Sequence, residues 1–175
     1  MLDKDKIIIR NVKKEDIEKI VDINIDGWKT AYKDFIDNDY LIKLNKEEKI
    51  AKLKKYYNQD GFIVAVIDNE VVGFCIYIDN NKFSSEYEEI DCELCALYVK
   101  STLKKKGIGR KLIQYVIDEF KNKGREKMIL WCFAENVQSR AFYEKIGGKV
   151  YDYKVGQFGD KEYEEVAYVY NIQNM

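Results

Sequence analysis

The sequence predicts an α+β (mixed α/β) fold: a central mixed, mostly antiparallel sheet of about seven strands flanked by about four helices. Three observations carry that expectation. Short apolar runs alternate with segments whose apolar residues recur every three or four positions, the two periods that separate strand from helix. Strand-like runs that follow one another across tight turns imply antiparallel pairs. The runs Cys92 to Val99 and Lys127 to Phe133 are instead separated by a long helical segment, which implies a parallel step. Finally, 175 residues with 46% hydrophobic and 35% charged side chains suit one globular domain, 1–175. A domain of that size buries roughly 70% of the surface of its unfolded chain and needs no metal or disulfide to hold a core.

The elements follow in order. Ile7 to Val12 is an apolar run and reads as the first strand. Lys14 to Ile25 is a helix, with Ile17, Ile20, Val21 and Ile25 at helical spacing. Trp28, Tyr32 and Phe35 continue an aromatic face past Gly27. Asn45-x-x-Glu48 has the pattern of a capping box, with Asn in place of Ser or Thr, and opens a second helix carrying Ile50, Leu53, Tyr56 and Tyr57. Phe62 to Ile67 and Val71 to Ile78 form a hairpin across Asp68-Asn69-Glu70, since Asp and Asn tolerate left-handed turn geometry. A polar loop, Asp79 to Ser85, leads into an acidic patch of Glu86, Glu88, Glu89, Asp91 and Glu93. Cys92 to Val99 is a central strand. Ile108, Leu112, Val116 and Phe120, with Ile113 and Ile117 beside them, mark a strong helix, and Gly124 stands where a C-terminal glycine belongs. Lys127 to Phe133 is a strand, and Val137 to Ile146 is a helix closed by Gly147-Gly148. Val150 to Val155 and Tyr163 to Asn171 make a closing hairpin with Gly156 and Gly159-Asp160 in its loop.

Composition narrows the chemistry. A net charge of −1 argues against a general nucleic-acid binder, which needs a basic face to displace counterions. The compact cluster Lys104, Lys105, Lys106, Arg110 and Lys111 suits one phosphorylated small molecule. No apolar run reaches the roughly 20 residues that span a bilayer. Met1 to Lys6 is charged and lacks a signal-peptide apolar stretch, so a cytoplasmic protein with no membrane partner is expected. There is no histidine. That removes Ser-His-Asp and Cys-His catalysis and the usual zinc hydrolase sites, and no metal is expected. A general base here must be a carboxylate, a tyrosine, a lysine or a relayed water. Cys92 and Cys95 form a CxxC, but positions three apart on a strand point to opposite faces, so buried free thiols are expected.

The most informative segment runs from Leu97-Tyr98-Val99 through Lys104, Lys105 and Lys106 to Gly107-Ile108-Gly109-Arg110, from a strand into a helix N-terminus. The first turn of a helix has unpaired N–H groups and a dipole that favours an anion. Gly107 and Gly109 let a phosphate approach the backbone. A dinucleotide fingerprint requires a third glycine where Leu112 stands, and the Gly-Lys-Ser/Thr of a P-loop is absent. A solvated basic loop capping a helix and a coenzyme A pyrophosphate turn both remain.

Lys104-x-x-Gly107-x-Gly109 after Leu97-Tyr98-Val99 resembles the Gln/Arg-x-x-Gly-x-Gly/Ala signature of the GNAT family, the Gcn5-related N-acetyltransferases; lysine at the first position is a departure. Asn136-(x)6-Tyr143-Glu144-Lys145-x-Gly147 resembles a second element of the same family, in the right order downstream. The spacing of Trp28, Tyr32 and Tyr40-Leu41 is similar to that of a bacterial subgroup whose substrates are mostly unassigned. The resemblance implies a GNAT-like acyl-CoA N-acyltransferase fold and direct attack of an amine on acetyl-CoA in a ternary complex. It implies that Leu97, Tyr98, Val99, Lys104, Lys105, Lys106, Gly107, Ile108, Gly109 and Arg110 hold the coenzyme, mainly through main-chain N–H groups, with the pantetheine arm lying along the strand. Asn136 is expected to bond the cofactor or to cap its helix. Tyr143 matches the family tyrosine proposed to protonate the leaving thiolate, or is a core aromatic of its helix. Glu93 is the first candidate for the group that deprotonates the amine, ahead of Asp91 and Glu135. Trp28 and Tyr32 either line the acceptor pocket or belong to the core. The partner is a small-molecule or protein amine, which the acidic patch is expected to attract, and the family often forms homodimers. A non-catalytic acyl-CoA-binding sensor or subunit of the same fold is the alternative.

Overall fold

The computed structural model describes residues 6–80 and 86–175. The charged start, 1–5, and most of the expected polar loop, 81–85, lie outside the described residues. The elements are β1 (Ile8–Asn11), a 3-10 turn (Lys14–Asp16), α1 (Ile17–Ala31), α2 (Asn38–Ile42), α3 (Lys46–Leu53), β2 (Phe62–Ile67), β3 (Glu70–Ile78) and β4 (Cys92–Val99). A 3-10 turn (Ser101–Leu103), α4 (Ile108–Asn122), β5 (Lys127–Phe133), α5 (Val137–Lys145), β6 (Lys149–Phe158) and β7 (Lys161–Asn171) follow. The strand order is β1-β2-β3-β4-β5-β7-β6. The pair β4–β5 is parallel, as the intervening helix demands, and the pairs β1–β2, β2–β3, β5–β7 and β6–β7 are antiparallel. Among the described residues no helix is long and apolar enough to cross a membrane.

The chain divides into two compact units, Met1–Ile76 with Ala96–Tyr115, and Tyr77–Cys95 with Val116–Met175. In the first, Asp16 secures the start of α1. Its carboxylate accepts two hydrogen bonds from Arg10, at 2.6 and 2.9 Å, and one from the Lys13 amide at 2.8 Å. α1 runs six residues beyond the expected end at Ile25, straight through Gly27. The glycine is there for space: a Cβ would sit 2.7 Å from Cδ1 of Tyr98. α2 makes a fifth helix where about four were expected. The side chain of Asp37 accepts from the Asp39 amide and caps it, and its five residues are too few to show a period. Asn45 caps α3 by accepting from the Glu48 amide at 3.0 Å, but α3 ends at Leu53, so Tyr56 and Tyr57 lie in the turns beyond. Asp68 and Asn69 both take positive φ, 47° and 64°, in the β2–β3 turn. The core of this unit joins Val12, Ile20, Ile23, Phe62, Val64, Val66, Val71 and Phe74, with Ala96 and Tyr98 packed on it.

In the second unit, Gly124 (φ 72°) ends α4. Its amide donates to Lys121 and the Arg125 amide reaches back to Phe120, both at 2.9 Å, which is the Schellman arrangement. β6 and β7 are longer than expected and turn on Gly159-Asp160 alone. Gly156 is inside β6, opposite Tyr163, rather than in the loop. Tyr168, Tyr170, Met128 and Leu130 are fully buried.

Candidate active site

The segment 100–110 belongs to the first unit. The Lys100 amide bonds Val72 at 2.9 Å, and after the short 3-10 turn the chain extends at Lys104 (φ −60°, ψ 155°). Lys105 and Gly107 are left-handed, with φ of 63° and 89°. The carbonyl of Gly107 accepts from Lys111 at 3.0 Å, the bond that opens α4. Ile108 is buried and anchors the helix start, while Lys104, Lys105, Lys106 and Arg110 are exposed. Among the described residues, the six amides of 105–110 donate to no carbonyl or side chain of the protein. Left-handed residues in such a turn aim successive N–H groups to one side, forming an anion-binding concavity, and the helix dipole adds positive potential. The turn therefore suits a diphosphate held by main chain, with the lysines contributing field.

Leu97, Tyr98 and Val99 end β4. Its parallel pairing with β5 runs from Cys92 to Leu94, and the strand continues past it to Val99. The Tyr98 side chain is partly buried and engaged within the fold. Its ring stacks on Phe74 (centroids 5.3 Å apart, 17° between planes) and its hydroxyl is hydrogen-bonded among Tyr32, Trp28 and Asn24. Burial first, and then Tyr32, push its pKa well up, so it stays protonated. Asn24 in turn accepts from the ammonium of Lys49 at 3.0 Å, a half-buried lysine whose pKa burial lowers. A Cβ at Gly73 would come within 2.9 Å of the Tyr98 carbonyl. The Tyr98 side chain thus sets where 97–99 lies.

Trp28 and Tyr32 are both partly buried. They meet edge to face at 4.9 Å, with Tyr40 at 5.6 Å from Trp28 and Phe35 at 5.6 Å from Tyr32. The two expected acceptor-side aromatics therefore also hold Tyr98.

Glu93, Asn136 and Tyr143 belong to the second unit. Glu93 is 7% exposed, pairs with Ile129 and is flanked by buried Cys92 and Leu94. The Asn136 side chain caps α5 by accepting from the Ser139 amide at 3.2 Å, so its Nδ2 is the group left for a ligand. Tyr143 is buried seven residues along, about 10 Å of helix rise. Its carbonyl accepts from the Tyr170 hydroxyl and the Gly148 amide, both at 2.9 Å. Asp91 receives the amides of Glu126 and Lys127 at 2.9 and 3.0 Å, which commits its carboxylate to the start of β5. Glu135 is exposed, and of the acidic patch Glu89 bonds the Tyr151 hydroxyl. All four cysteines are free; Cys92 is buried, and burial pushes its thiol pKa up.

Sequence reasoning overlooked Asn24, Lys49 and the network in which Tyr168 bonds Arg140 (3.0 Å) and Glu144 (2.7 Å). Asn24 and Trp28 stand four apart on one helix, which is the available signal; the other partners are far apart in sequence.

The family model described as Acetyltransferase (GNAT) family matches residues 26–148. An uncharacterized N-acetyltransferase of Bacillus subtilis, YuaI, is 30% identical over 79% of this chain and 78% of that protein. A spermidine N(1)-acetyltransferase of Thermoplasma acidophilum is 29% identical over 90% of this chain and 98% of its own. Among solved structures, the PaiA N-acetyltransferase of Thermoplasma acidophilum in complex with coenzyme A superimposes with a TM-score of 0.67 at 25% identity, covering 91% of this chain and 97% of that one.

Proposed function

We infer that this chain, which belongs to the acetyltransferase (GNAT) family, transfers an acetyl group from acetyl-CoA to a primary amine of a small molecule or protein, by direct attack in a ternary complex. One observation carries the reading. Among the described residues the amides of 105–110 donate to no protein group, and they stand at the start of a long helix, directly after the strand end 97–99. Acetyl-CoA, when bound, supplies an activated thioester carbonyl. The residues of this chain supply the rest. The turn 104–110 binds the diphosphate. The main chain of Leu97 and Val99 aligns the pantetheine arm as an added strand would be aligned, and an N–H there donates to the carbonyl oxygen as charge develops. Asn136 donates its Nδ2 to the coenzyme.

The amine must arrive neutral although its ordinary pKa is about 10. Glu93 takes that proton, directly or through water. It is 7% exposed, on the strand that ends in 97–99. Tyr143 protonates the departing thiolate, whose ordinary pKa is near 8.5. Trp28 and Tyr32 form one wall of the acceptor site.

The test is release of free thiol from acetyl-CoA across a panel of amines, beside a thermal-shift titration with CoA. A hundredfold excess over the dissociation constant stabilises the fold by about 2.7 kcal/mol. Stabilisation without thiol release from any amine would make the protein a coenzyme-binding module instead.

A further inference from the structure

We propose that Trp131 and Glu165, in the second unit, form a site for a remote ammonium group of the acceptor, so that the acceptor is a linear diamine or polyamine; the proposal rests on the acetyl-transfer reading above. Strand register places the residues on one face. Glu93 pairs with Ile129, and Trp131 lies two residues further along β5. Trp131 pairs with Ala167, Glu165 lies two residues from Ala167 on β7, and Lys154 of β6 pairs with Glu165. Side chains two apart, and those directly paired, share a face. Glu93, Trp131, Glu165 and Lys154 therefore point the same way.

The face already holds a primary ammonium. Nζ of Lys154 lies 4.0 Å from the centroid of the Trp131 ring and 3.6 Å from Oε2 of Glu165. Trp is the best aromatic partner for a cation, and the carboxylate adds direct attraction. The carboxylate position is built. The Glu165 side chain is 15% exposed, and Gly156 makes room for it, since a Cβ there would lie 2.8 Å from Oε2 and 3.0 Å from the Phe158 ring. Phe133, Phe158 and Tyr163 pack together beside it, with centroids 4.8 to 6.2 Å apart. Lys154 itself is 34% exposed on the last strand of the sheet, and a flexible stem lets it swing out to solvent. It occupies the place that one end of a diamine fills, with the same functional group.

The spacing fits two nitrogens on one chain. A strand separation of about 4.8 Å and a rise of about 3.3 Å per residue put the Cα atoms of Glu93 and Trp131 about 8 Å apart. With the reacting amine at Glu93, a second ammonium several methylenes away reaches the Trp131 ring and displaces Lys154.

The experiment compares kcat/KM for putrescine with that for n-pentylamine, a monoamine of matching length, in the wild type and in Glu165→Gln, Lys154→Met and Glu162→Gln. Glu162 is an exposed β7 residue with the same charge and serves as control. The wild type prefers the diamine. Glu165→Gln lowers the diamine-to-monoamine ratio about tenfold, Lys154→Met raises it, and Glu162→Gln leaves it unchanged. Equal use of both amines by the wild type, or equal effects of Glu165→Gln and Glu162→Gln, overturns the proposal. Should no amine release thiol, the acetyl-transfer reading fails by itself. Calorimetric titration with spermine then decides the cation site: binding lost in Glu165→Gln but kept in Glu162→Gln supports it, and no binding to the wild type overturns it.

Discussion

Gly27→Ala should destabilise this protein although alanine is the better helix former. Within a helix interior, alanine gains up to about 1 kcal/mol over glycine. Against that, the new Cβ would lie 2.7 Å from Cδ1 and 3.1 Å from Cε1 of Tyr98, well inside van der Waals contact. The ring has nowhere to retreat, because it is stacked on Phe74 and its hydroxyl is bound among Asn24, Trp28 and Tyr32. Overpacking of this kind costs about 1–3 kcal/mol, so the net loss is about 1 kcal/mol. For a chain of this length that lowers Tm by about 2–4 °C. Because Tyr98 fixes the position of 97–99, coenzyme affinity should fall with it. Thermal denaturation of Gly27→Ala, alone and combined with Tyr98→Leu, checks the reasoning. With the ring removed, the alanine should become neutral or stabilising. A rise in Tm for Gly27→Ala in the wild-type background, as helix propensity alone demands, would refute the argument.

Three further outcomes follow from the site and its supports. Tyr143→Phe keeps a buried ring of nearly the same volume, so it should lower kcat roughly a hundredfold while the thermal shift with CoA stays as in the wild type; equal loss of both would make Tyr143 a packing residue. Gly107→Ala forces a side chain into a φ of 89°, a strain of about 1–2 kcal/mol that the fold loses in stability, and a CoA titration should show weaker binding. Asp16 is buried, which opposes its charge, yet the hydrogen bonds from Arg10 and Lys13 outweigh this and hold its pKa below the usual range. A lowered folded pKa stabilises above the unfolded value of about 3.9 and is lost as pH falls. In urea denaturation, Asp16→Asn should be about 2 kcal/mol less stable near neutral pH, and the gap should narrow below about pH 4; a gap independent of pH would count against the ion pair.

The sheet was legible because local rules and tertiary demands agree along most of it. Cys92–Val99, apolar but for Glu93, and Lys127–Phe133, apolar after Lys127, have a helix between them, which implies their parallel pairing. Asp68-Asn69 and Gly124 mark a turn and a helix end through backbone conformations that few residues adopt. The failures share one cause, contacts between residues far apart in the chain. The helix expected to end at Ile25 runs on through Gly27, whose place is explained only by Tyr98, 71 positions later, lying against it. Gly156 reads as loop until Glu165 is seen to need its space. At the candidate site the turn 104–110 was legible because its geometry is carried by glycines and local sequence. The hold of Trp28 and Tyr32 on Tyr98, and the commitment of Asp91 to the amides of Glu126 and Lys127, depend on partners that no local pattern names.

The main-chain grip on a diphosphate is tested most directly by following the amide resonances of 105–110 in a labelled sample titrated with coenzyme A and, separately, with pantetheine, which lacks the diphosphate. The account predicts large shifts at these six amides with coenzyme A and small ones with pantetheine. Saturable coenzyme A binding that leaves all six resonances in place would contradict it.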